Sequence, residues 1–217
     1  MFNFELSKEH KMLESSVKEF VENEVKPLAE EFDQSPIHMT DEFLNIYRKM
    51  AELDFFAVMI PEEYGGVGEG FDVISCSIIH KELAKASAGI GLSYMPTIIV
   101  SGEIIRRLGT REQKEKYLPP SVTGDLIPCL CITEPDAGSD VGGIETEYTR
   151  DENDYIINGT KQFITNAPVA NLFCALAKDK ETGEISSFLV EKKEGVSTGK
   201  PLDKMGYRSS PTSECFF

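Results

Sequence analysis

The sequence predicts an α+β protein, with an N-terminal α-helical bundle over residues 1–125 and a small antiparallel β-barrel-like domain over residues 126–217. Up to Asp125 the apolar residues recur at helical spacing. Beyond it, short apolar segments are separated by turn sequences, as in small barrels and sandwiches. The chain has 217 residues, 41% of them hydrophobic and 27% charged, so each part can bury a core.

Five helices are predicted in the first part. Ser7 can cap the first, because a serine side chain accepts hydrogen bonds from first-turn amides. Two carboxylates follow Thr40 in the first turn of the second, where the helix dipole favours negative charge. The first helix follows Ser7 and is interrupted at residues 34–36, the second starts at Thr40, and the third covers residues 72–87. A break of small residues at 87–91 precedes the fourth helix, from about 93 to 108. The fifth is opened by the capping box 110–113 and stopped by Pro119 and Pro120.

The second part is predicted to consist of short strands. The first covers Leu126–Thr133, and residues 154–165 are predicted to form a hairpin with Asn158-Gly159 as its tight turn. Further strands are expected at 172–178, at 184–191 and from Thr212 onward. Because Phe216 and Phe217 lie inside that last strand, we expect the sequence to be a piece of a longer protein or one part of a larger assembly.

Charge and composition exclude several classes of function. A net charge of −15 and an isoelectric point near 4.7 argue against a nucleic-acid surface, which needs clustered Lys and Arg. No uninterrupted apolar run of 18 residues exists, so no membrane span is expected. The first ten residues lack the features of a signal or transit peptide, so we expect a cytoplasmic protein of bacterial or archaeal type.

Metal and hydrolytic sites are not supported by the sequence. The five cysteines lie in apolar contexts, and Cys129 and Cys131 share one face of a predicted strand. We expect reduced core residues and no metal site, because no histidine or second cysteine pair completes a ligand set. His10, His38 and His80 have no nucleophile motif beside them and are expected to be structural or surface residues.

Two strand ends are unusually polar. Residues 132–139 combine Thr133, Ser139 and a glycine, and residues 163–167 place Phe163 two positions before Thr165, on one face of a strand. If the two ends lie side by side, they form a shelf of hydroxyls, backbone amides and a flat ring. Such a shelf suits a planar heteroaromatic ligand that carries phosphate. The alternative is that both segments are edge residues with ordinary turn chemistry.

Five segments together resemble the acyl-CoA dehydrogenase family. Residues 131–143 (CITEPDAGSDVGG) resemble the family signature, and residues 157–167 (INGTKQFITNA) resemble its usual second element. The other three segments are 61–66 (PEEYGG), 109–118 (GTREQKEKYL) and 205–214 (MGYRSSPTSE). The resemblance covers essentially the whole chain in the family's order.

The resemblance implies an FAD site in the β domain. Phe163 takes the place of the ring-stacking aromatic residue of the family, and the Thr165 hydroxyl is expected near the flavin atom that accepts hydride. Gly138 and Ser139 are expected to approach the pyrophosphate. The FAD-contacting residues implied are Leu130, Ile132, Thr133, Gly138, Ser139, Phe163, Ile164 and Thr165.

An acyl-CoA site is implied as well. Ser139 is expected to touch the acyl-CoA, and the CoA nucleotide end is expected to pass near Thr182 and Ser186. The acyl chain would be bounded by the helix predicted to begin near residue 93. The pocket-floor candidates there are Ser93, Tyr94, Pro96, Thr97 and Val100.

The implied activity is α,β-dehydrogenation of an acyl-CoA thioester, as in fatty acid β-oxidation. A carboxylate removes the α-proton while the β-hydride moves to the flavin, and electrons then pass to an electron-transfer flavoprotein. The family's base is a Glu on a C-terminal helical domain, expected beyond residue 217, and Glu134 is not a candidate for it. That domain also mediates tetramer formation. Because the base is expected on that domain, residues 1–217 alone are expected to be inactive.

Two alternatives stay open. One is an acyl-CoA oxidase-like flavoenzyme that reacts directly with oxygen. The other is a non-catalytic binding or assembly module that keeps the fold.

Overall fold

The chain folds into two compact units, and its computed structural model describes residues 5–34, 40–68, 70–152 and 154–217. One unit comprises the residues up to Asp125 together with Lys204–Ser210, and it is helical. The other comprises Leu126–Asp203 and Pro211–Phe217, and it is built of strands. The α+β class is confirmed. The predicted break at residues 35 and 36, and His38, lie outside the described residues.

The described residues of the helical unit form seven α-helical segments. The first continues through a π-helical stretch (Val21–Val25) and a 3-10 turn (Lys26–Leu28) into the second, and the fifth continues through a π-helical stretch (Ile98–Ile105) into the sixth. The segments are α1 (Lys8–Phe20), α2 (Ala29–Gln34), α3 (Thr40–Glu52), α4 (Val73–Ala86), α5 (Ala88–Thr97), α6 (Arg106–Leu108) and α7 (Arg111–Val122).

Two predicted helix boundaries are wrong, for local reasons. Helix α5 begins at Ala88 rather than near residue 93, because the Ser87 hydroxyl accepts from the Ile90 amide and caps it there. Helix α7 runs past both prolines to Val122. A proline removes an N–H donor, but the Pro119 carbonyl still accepts from the Thr123 amide, so the last turn stays closed.

Aromatic side chains form the centre of the helical unit. The Tyr47 and Phe56 rings lie 4.5 Å apart between centroids, and Phe56 stacks on Tyr94 at 5.7 Å. The Tyr94 hydroxyl donates to the Phe55 carbonyl at 2.9 Å, so its polar end is satisfied inside the core. Burial raises the pKa of Tyr47 and Tyr94, so both phenols stay protonated.

Among the residues that the structure describes, one helical stretch, Ala88–Leu108, is long and apolar enough to cross a bilayer when judged by length and composition alone. Two thirds of the apolar 18-residue window within it is buried inside the protein. Core helices of globular proteins pass the same test, so this stretch is weak evidence for a membrane span.

The part of the β unit that the structure describes forms two open sheets. In the first, β5 pairs with β6 along one edge and with β1 and β2 along the other, and β3 pairs with β2. The β1–β5 and β2–β5 pairings are parallel, whereas every other pairing is antiparallel. The second sheet has the order β4-β8-β7. The strands are β1 (Pro128–Cys131), β2 (Glu147–Asp151), β3 (Asp154–Asn158), β4 (Thr160–Thr165), β5 (Leu172–Asp179), β6 (Ile185–Glu191), β7 (Ser197–Thr198) and β8 (Thr212–Phe216).

The hairpin predicted around Asn158-Gly159 is wrong. Strand β3 pairs with β2 in the first sheet, and β4 pairs with β8 in the second, so Gly159 is where the chain passes between the sheets. Glycine is required there by space, since a Cβ on Gly159 would lie 2.3 Å from the Thr146 hydroxyl oxygen.

The two sheets share one apolar core. Phe173 and Ala175 of β5 enter it from the first sheet, and Ile164 of β4 enters it from the second. Cys129, Cys131 and Cys215 lie in the same core and are fully buried. All five cysteines are free thiols, as the sequence predicts.

Candidate functional site

The two polar strand ends lie against each other in the β unit. The Gln162 amide of β4 donates to the Thr133 carbonyl at 2.8 Å, and the Lys161 ammonium donates to the Ile132 carbonyl at 3.1 Å. The two segments therefore form one continuous surface, here called the strand-end shelf (residues 132–139 and 163–165).

Phe163 is held outward on the shelf by a β-bulge. The pairing of β4 with β8 shifts register between Lys161 and Ile164, and Phe163 adopts a φ of 60°. A bulky residue at positive φ is rare and costs about 1–3 kcal/mol. The Phe163 ring is 60% exposed, whereas Ile164 beside it is buried in the core. An exposed ring in a costly backbone conformation points to a ligand-binding role.

The rest of the shelf is polar and open. A tight turn from Glu134 to Ala137 is closed by the Glu134 amide donating to the Ala137 carbonyl at 2.8 Å. Gly138 and Ser139 follow it on the surface. A Cβ on Gly138 would meet nothing within 4 Å, so a ligand can approach this backbone closely. Leu130, Ile132, Thr133 and Thr165 are partly buried.

A buried ion pair lies under the shelf. The Lys161 ammonium, which is 0% exposed, contacts the Glu134 carboxylate at 2.7 Å. That carboxylate also accepts from the backbone amides of Glu145 at 2.5 Å and Thr146 at 2.9 Å. Burial opposes ionisation of Glu134, but these hydrogen bonds outweigh it and lower the pKa to about 2. Glu134 is therefore a permanent anion with occupied oxygens and cannot act as a base near neutral pH.

A polar cleft of about 330 Å³ lies beside the ion pair. Its lining includes Glu134, Asp136, Glu145, Thr146 and Gly159. The Thr146 hydroxyl is buried and has no hydrogen-bond partner among the described residues.

The five acyl-pocket candidates lie together in the helical unit. Ser93, Tyr94, Pro96 and Thr97 are on α5, and Val100 is on the π-helical stretch after it. All five are buried. The Ser93 hydroxyl donates to the Ser210 hydroxyl at 3.1 Å, and the Thr97 hydroxyl is hydrogen-bonded to that of Tyr47.

Thr182 lies in an exposed turn of the β unit. The Asp179 carboxylate accepts from the amides of Glu181 at 2.8 Å and Thr182 at 3.0 Å, and this fixes the turn between β5 and β6. The hydroxyl of Ser186, the other residue expected near the CoA nucleotide end, lies 3.2 Å from the Tyr148 hydroxyl.

Comparison with known proteins decides the family. Residues 7–125 match the model of the acyl-CoA dehydrogenase N-terminal domain, and residues 129–217 match that of the acyl-CoA dehydrogenase middle domain. The chain belongs to the acyl-CoA dehydrogenase family. The family's two domain models therefore account for nearly all of the 217 residues.

Individual relatives agree with this assignment. The chain is 38% identical over 218 residues to a probable acyl-CoA dehydrogenase, YngJ, of Bacillus subtilis, covering 98% of this chain and 56% of the relative. It is 40% identical over 215 residues to a 3-(aryl)acrylate reductase of Clostridium sporogenes, covering 96% and 55%. A crystal structure of an acyl-CoA dehydrogenase complexed with FAD from Bacillus anthracis superposes with a TM-score of 0.90 at 34% identity, covering 100% of this chain and 37% of that one. The chain thus spans about half the length of the curated relatives it matches.

Three residues at the candidate site were missed from the sequence. They are Lys161, Thr146 and Gly159. A charged residue inside a predicted strand is the one signal for Lys161. Strand alternation puts it on the face opposite Ile164, and only the bulge turns both side chains inward. Thr146 and Gly159 carry no comparable signal, since their contact depends on the crossing between the sheets.

Proposed function

We propose that this chain carries the flavin-facing and acyl-facing parts of an FAD-dependent acyl-CoA dehydrogenase. The observation that carries the proposal is Phe163, a 60% exposed ring at positive φ beside the hydrogen-bonded ends of two strands. Membership of the acyl-CoA dehydrogenase family supports it, as does the FAD complex of the Bacillus anthracis structure.

The shelf residues fit FAD in their chemistry. The exposed Phe163 ring offers a face on which an isoalloxazine can stack. Thr133 and Thr165 offer hydroxyls, and the open Gly138-Ser139 backbone offers a place for a pyrophosphate. We assign Leu130, Ile132, Thr133, Gly138, Ser139, Phe163, Ile164 and Thr165 to the cofactor. Bound FAD supplies the hydride acceptor for dehydrogenation.

The substrate proposed is an acyl-CoA thioester. Ser139 and Thr182 are assigned to the CoA portion, and the buried face of α5 around Ser93 and Tyr94 is assigned to limiting the acyl chain, with Pro96, Thr97 and Val100. The α-proton acceptor is proposed to be a carboxylate outside residues 1–217. Glu134 is unsuited to the role, because its pKa of about 2 leaves it a very weak base.

The remaining parts of the proposal concern the assembled enzyme. We propose that electrons pass to an electron-transfer flavoprotein, that the complete enzyme is a homotetramer, and that it works in the cytoplasm in fatty acid β-oxidation. Residues 1–217 alone are proposed to retain little FAD and to show no turnover.

A chimera tests this proposal. Residues 1–217 would be joined to the part of the Bacillus subtilis relative that this chain does not cover, since the chain spans 56% of that protein. The expected product is yellow, and acyl-CoA substrates bleach its flavin and reduce a dye. The matched control is residues 1–217 alone, with little bound flavin. A folded chimera that binds no FAD, or whose flavin no acyl-CoA reduces, would refute the proposal.

The oxidase alternative is separated by one further measurement on the chimera. After anaerobic reduction with acyl-CoA, the enzyme is mixed with oxygen in a stopped-flow instrument. Slow reoxidation is expected for a dehydrogenase, and rapid reoxidation with peroxide formation would favour an oxidase. A folded chimera without any turnover would favour the non-catalytic alternative.

A further inference from the structure

Three cysteine sulfurs meet in the core of the β unit. Cys129 and Cys131 lie on the same face of β1, with their sulfurs 3.6 Å apart. Cys215 comes from β8 in the other sheet, 84 residues later, and its sulfur lies 4.0 Å from that of Cys131. All three sulfurs lie within 4.8 Å of one another. This group is here called the thiol triad.

We propose that the thiol triad is a binding site for a soft, thiophilic metal ion, with copper(I) as the fitting ion. The sequence does not show this site, because the expectation of cysteines without a metal role rested on the lack of a histidine or second cysteine pair that would complete a ligand set. The folding of β8 against β1 supplies that third ligand. The proposal is independent of the flavin site.

The sulfur separations suit a small metal ion. With metal–sulfur bonds of about 2.3 Å, sulfur ligands lie about 4.0 Å apart in a planar trigonal site and about 3.8 Å apart in a tetrahedral one. Two of the three sulfur–sulfur separations in the triad, 3.6 and 4.0 Å, span these values, and the third is at most 4.8 Å. Small rotations of the three side chains, rather than movement of strands, would complete the geometry.

The surroundings select the class of ion. The triad packs against Ile164, Ala167, Phe173 and Ala175. Among the residues that the structure describes, the ligand group at this place consists of the three cysteines and contains no carboxylate or imidazole. Hard cations such as magnesium or calcium need oxygen ligands, which are missing here. Structural zinc sites are almost always four-coordinate, and the described residues provide three ligands. Thiolates select copper(I), and three sulfurs form a complete set for it.

An entry route exists at the edge of the second sheet. Strand β7 is only two residues long and covers β8 at Cys215 and Phe216. A strand pairing of two residues opens at a low cost in free energy. The thiols themselves are fully buried, so the ion reaches them only after such an opening. We therefore expect slow uptake, limited by local opening. Each thiol that coordinates the ion releases its proton to solvent.

The test is an anaerobic titration of the purified chain with copper(I) supplied as its coloured bicinchoninate complex. The chain is expected to remove copper(I) from the coloured complex, and so to bleach it, until one copper per chain is bound. Cys215→Ala is expected to bind at least tenfold more weakly. The matched control is Cys174→Ala, because Cys174 is equally buried on β5 but does not belong to the triad. Retained binding in Cys215→Ala, or loss in Cys174→Ala, would overturn the assignment.

A measurement on the unaltered chain covers the case in which Cys215→Ala does not fold. X-ray absorption of the copper-loaded chain is expected to show three sulfur neighbours at about 2.3 Å. Bound copper with nitrogen or oxygen neighbours would overturn the proposal, as would a chain that leaves the coloured complex intact. Preferential binding of zinc in a parallel titration would overturn the choice of copper(I).

Discussion

Replacing Glu134 with Gln is expected to destabilise the β unit in a pH-dependent way. The folded-state pKa of Glu134 is lowered from 4.5 to about 2, because its hydrogen bonds to Lys161 and two amides outweigh the effect of burial. A difference of this size corresponds to about 3 kcal/mol in favour of the ionised form, since one pH unit is worth about 1.4 kcal/mol. Glutamine has the shape of the neutral acid, so Glu134→Gln should lower the free energy of unfolding by about 3 kcal/mol at pH 7.

The sign of the pH effect follows from the direction of the shift. A lowered pKa means that ionised Glu134 stabilises the folded state fully above its ordinary value of 4.5, and that this stabilisation disappears as the pH falls towards about 2. The difference between the original chain and Glu134→Gln should therefore be constant from pH 7 to about 5 and fall to less than about half at pH 3.

Urea unfolding at a series of pH values measures this difference directly. Two variants serve as controls. Glu147→Gln removes an exposed partner of Lys180 in the same unit and should change stability little, because surface pairs contribute little. The double variant Glu134→Gln with Lys161→Met should lose less free energy of unfolding than the two single variants lose when their losses are added, since it leaves no unpaired buried charge. A loss below about 1 kcal/mol at pH 7, or a loss independent of pH, would refute the reasoning.

Three further outcomes are expected. Phe163→Gly should keep the free energy of unfolding within about 1 kcal/mol, because the side chain is mostly exposed and glycine tolerates the positive φ. The same variant should weaken FAD binding by the chimera in a fluorescence titration, and a large loss of stability would contradict this. Gly159→Ala should destabilise the chain by about 1–3 kcal/mol in urea, because the new methyl group overlaps Thr146; an unchanged midpoint would show that the sheets can separate there. Thr110→Ala should cost about 1 kcal/mol in thermal unfolding, since it removes the capping box with Gln113; no change would mean that the cap is redundant.

The sequence predicts those features that depend on local patterns. The change from helices to strands after Asp125 follows from periodicity, and the polar strand ends follow from composition. The prediction of the Asn158-Gly159 hairpin failed because that dipeptide is only a local signal, whereas the partner of β4 is β8, 47 to 56 residues further along the chain. The Glu134–Lys161 pair and the thiol triad are non-local in the same way. A single sequence does not state which strands become neighbours, so contacts made across the β unit could not be predicted from it.

The conformation of Phe163 is a further consequence of non-local contacts. On one side of the bulge, Lys161 is fixed by the Glu134 carboxylate and the Ile132 carbonyl. On the other side, Ile164 is buried in the core, and the Asn166 amide donates to the Pro211 carbonyl at 2.7 Å. With both flanks anchored, β4 cannot slip by one residue without burying Phe163 or exposing Lys161 and Ile164. The positive φ at Phe163 is therefore imposed by the surrounding fold, and the same contacts that impose it hold the ring where we propose that a flavin stacks.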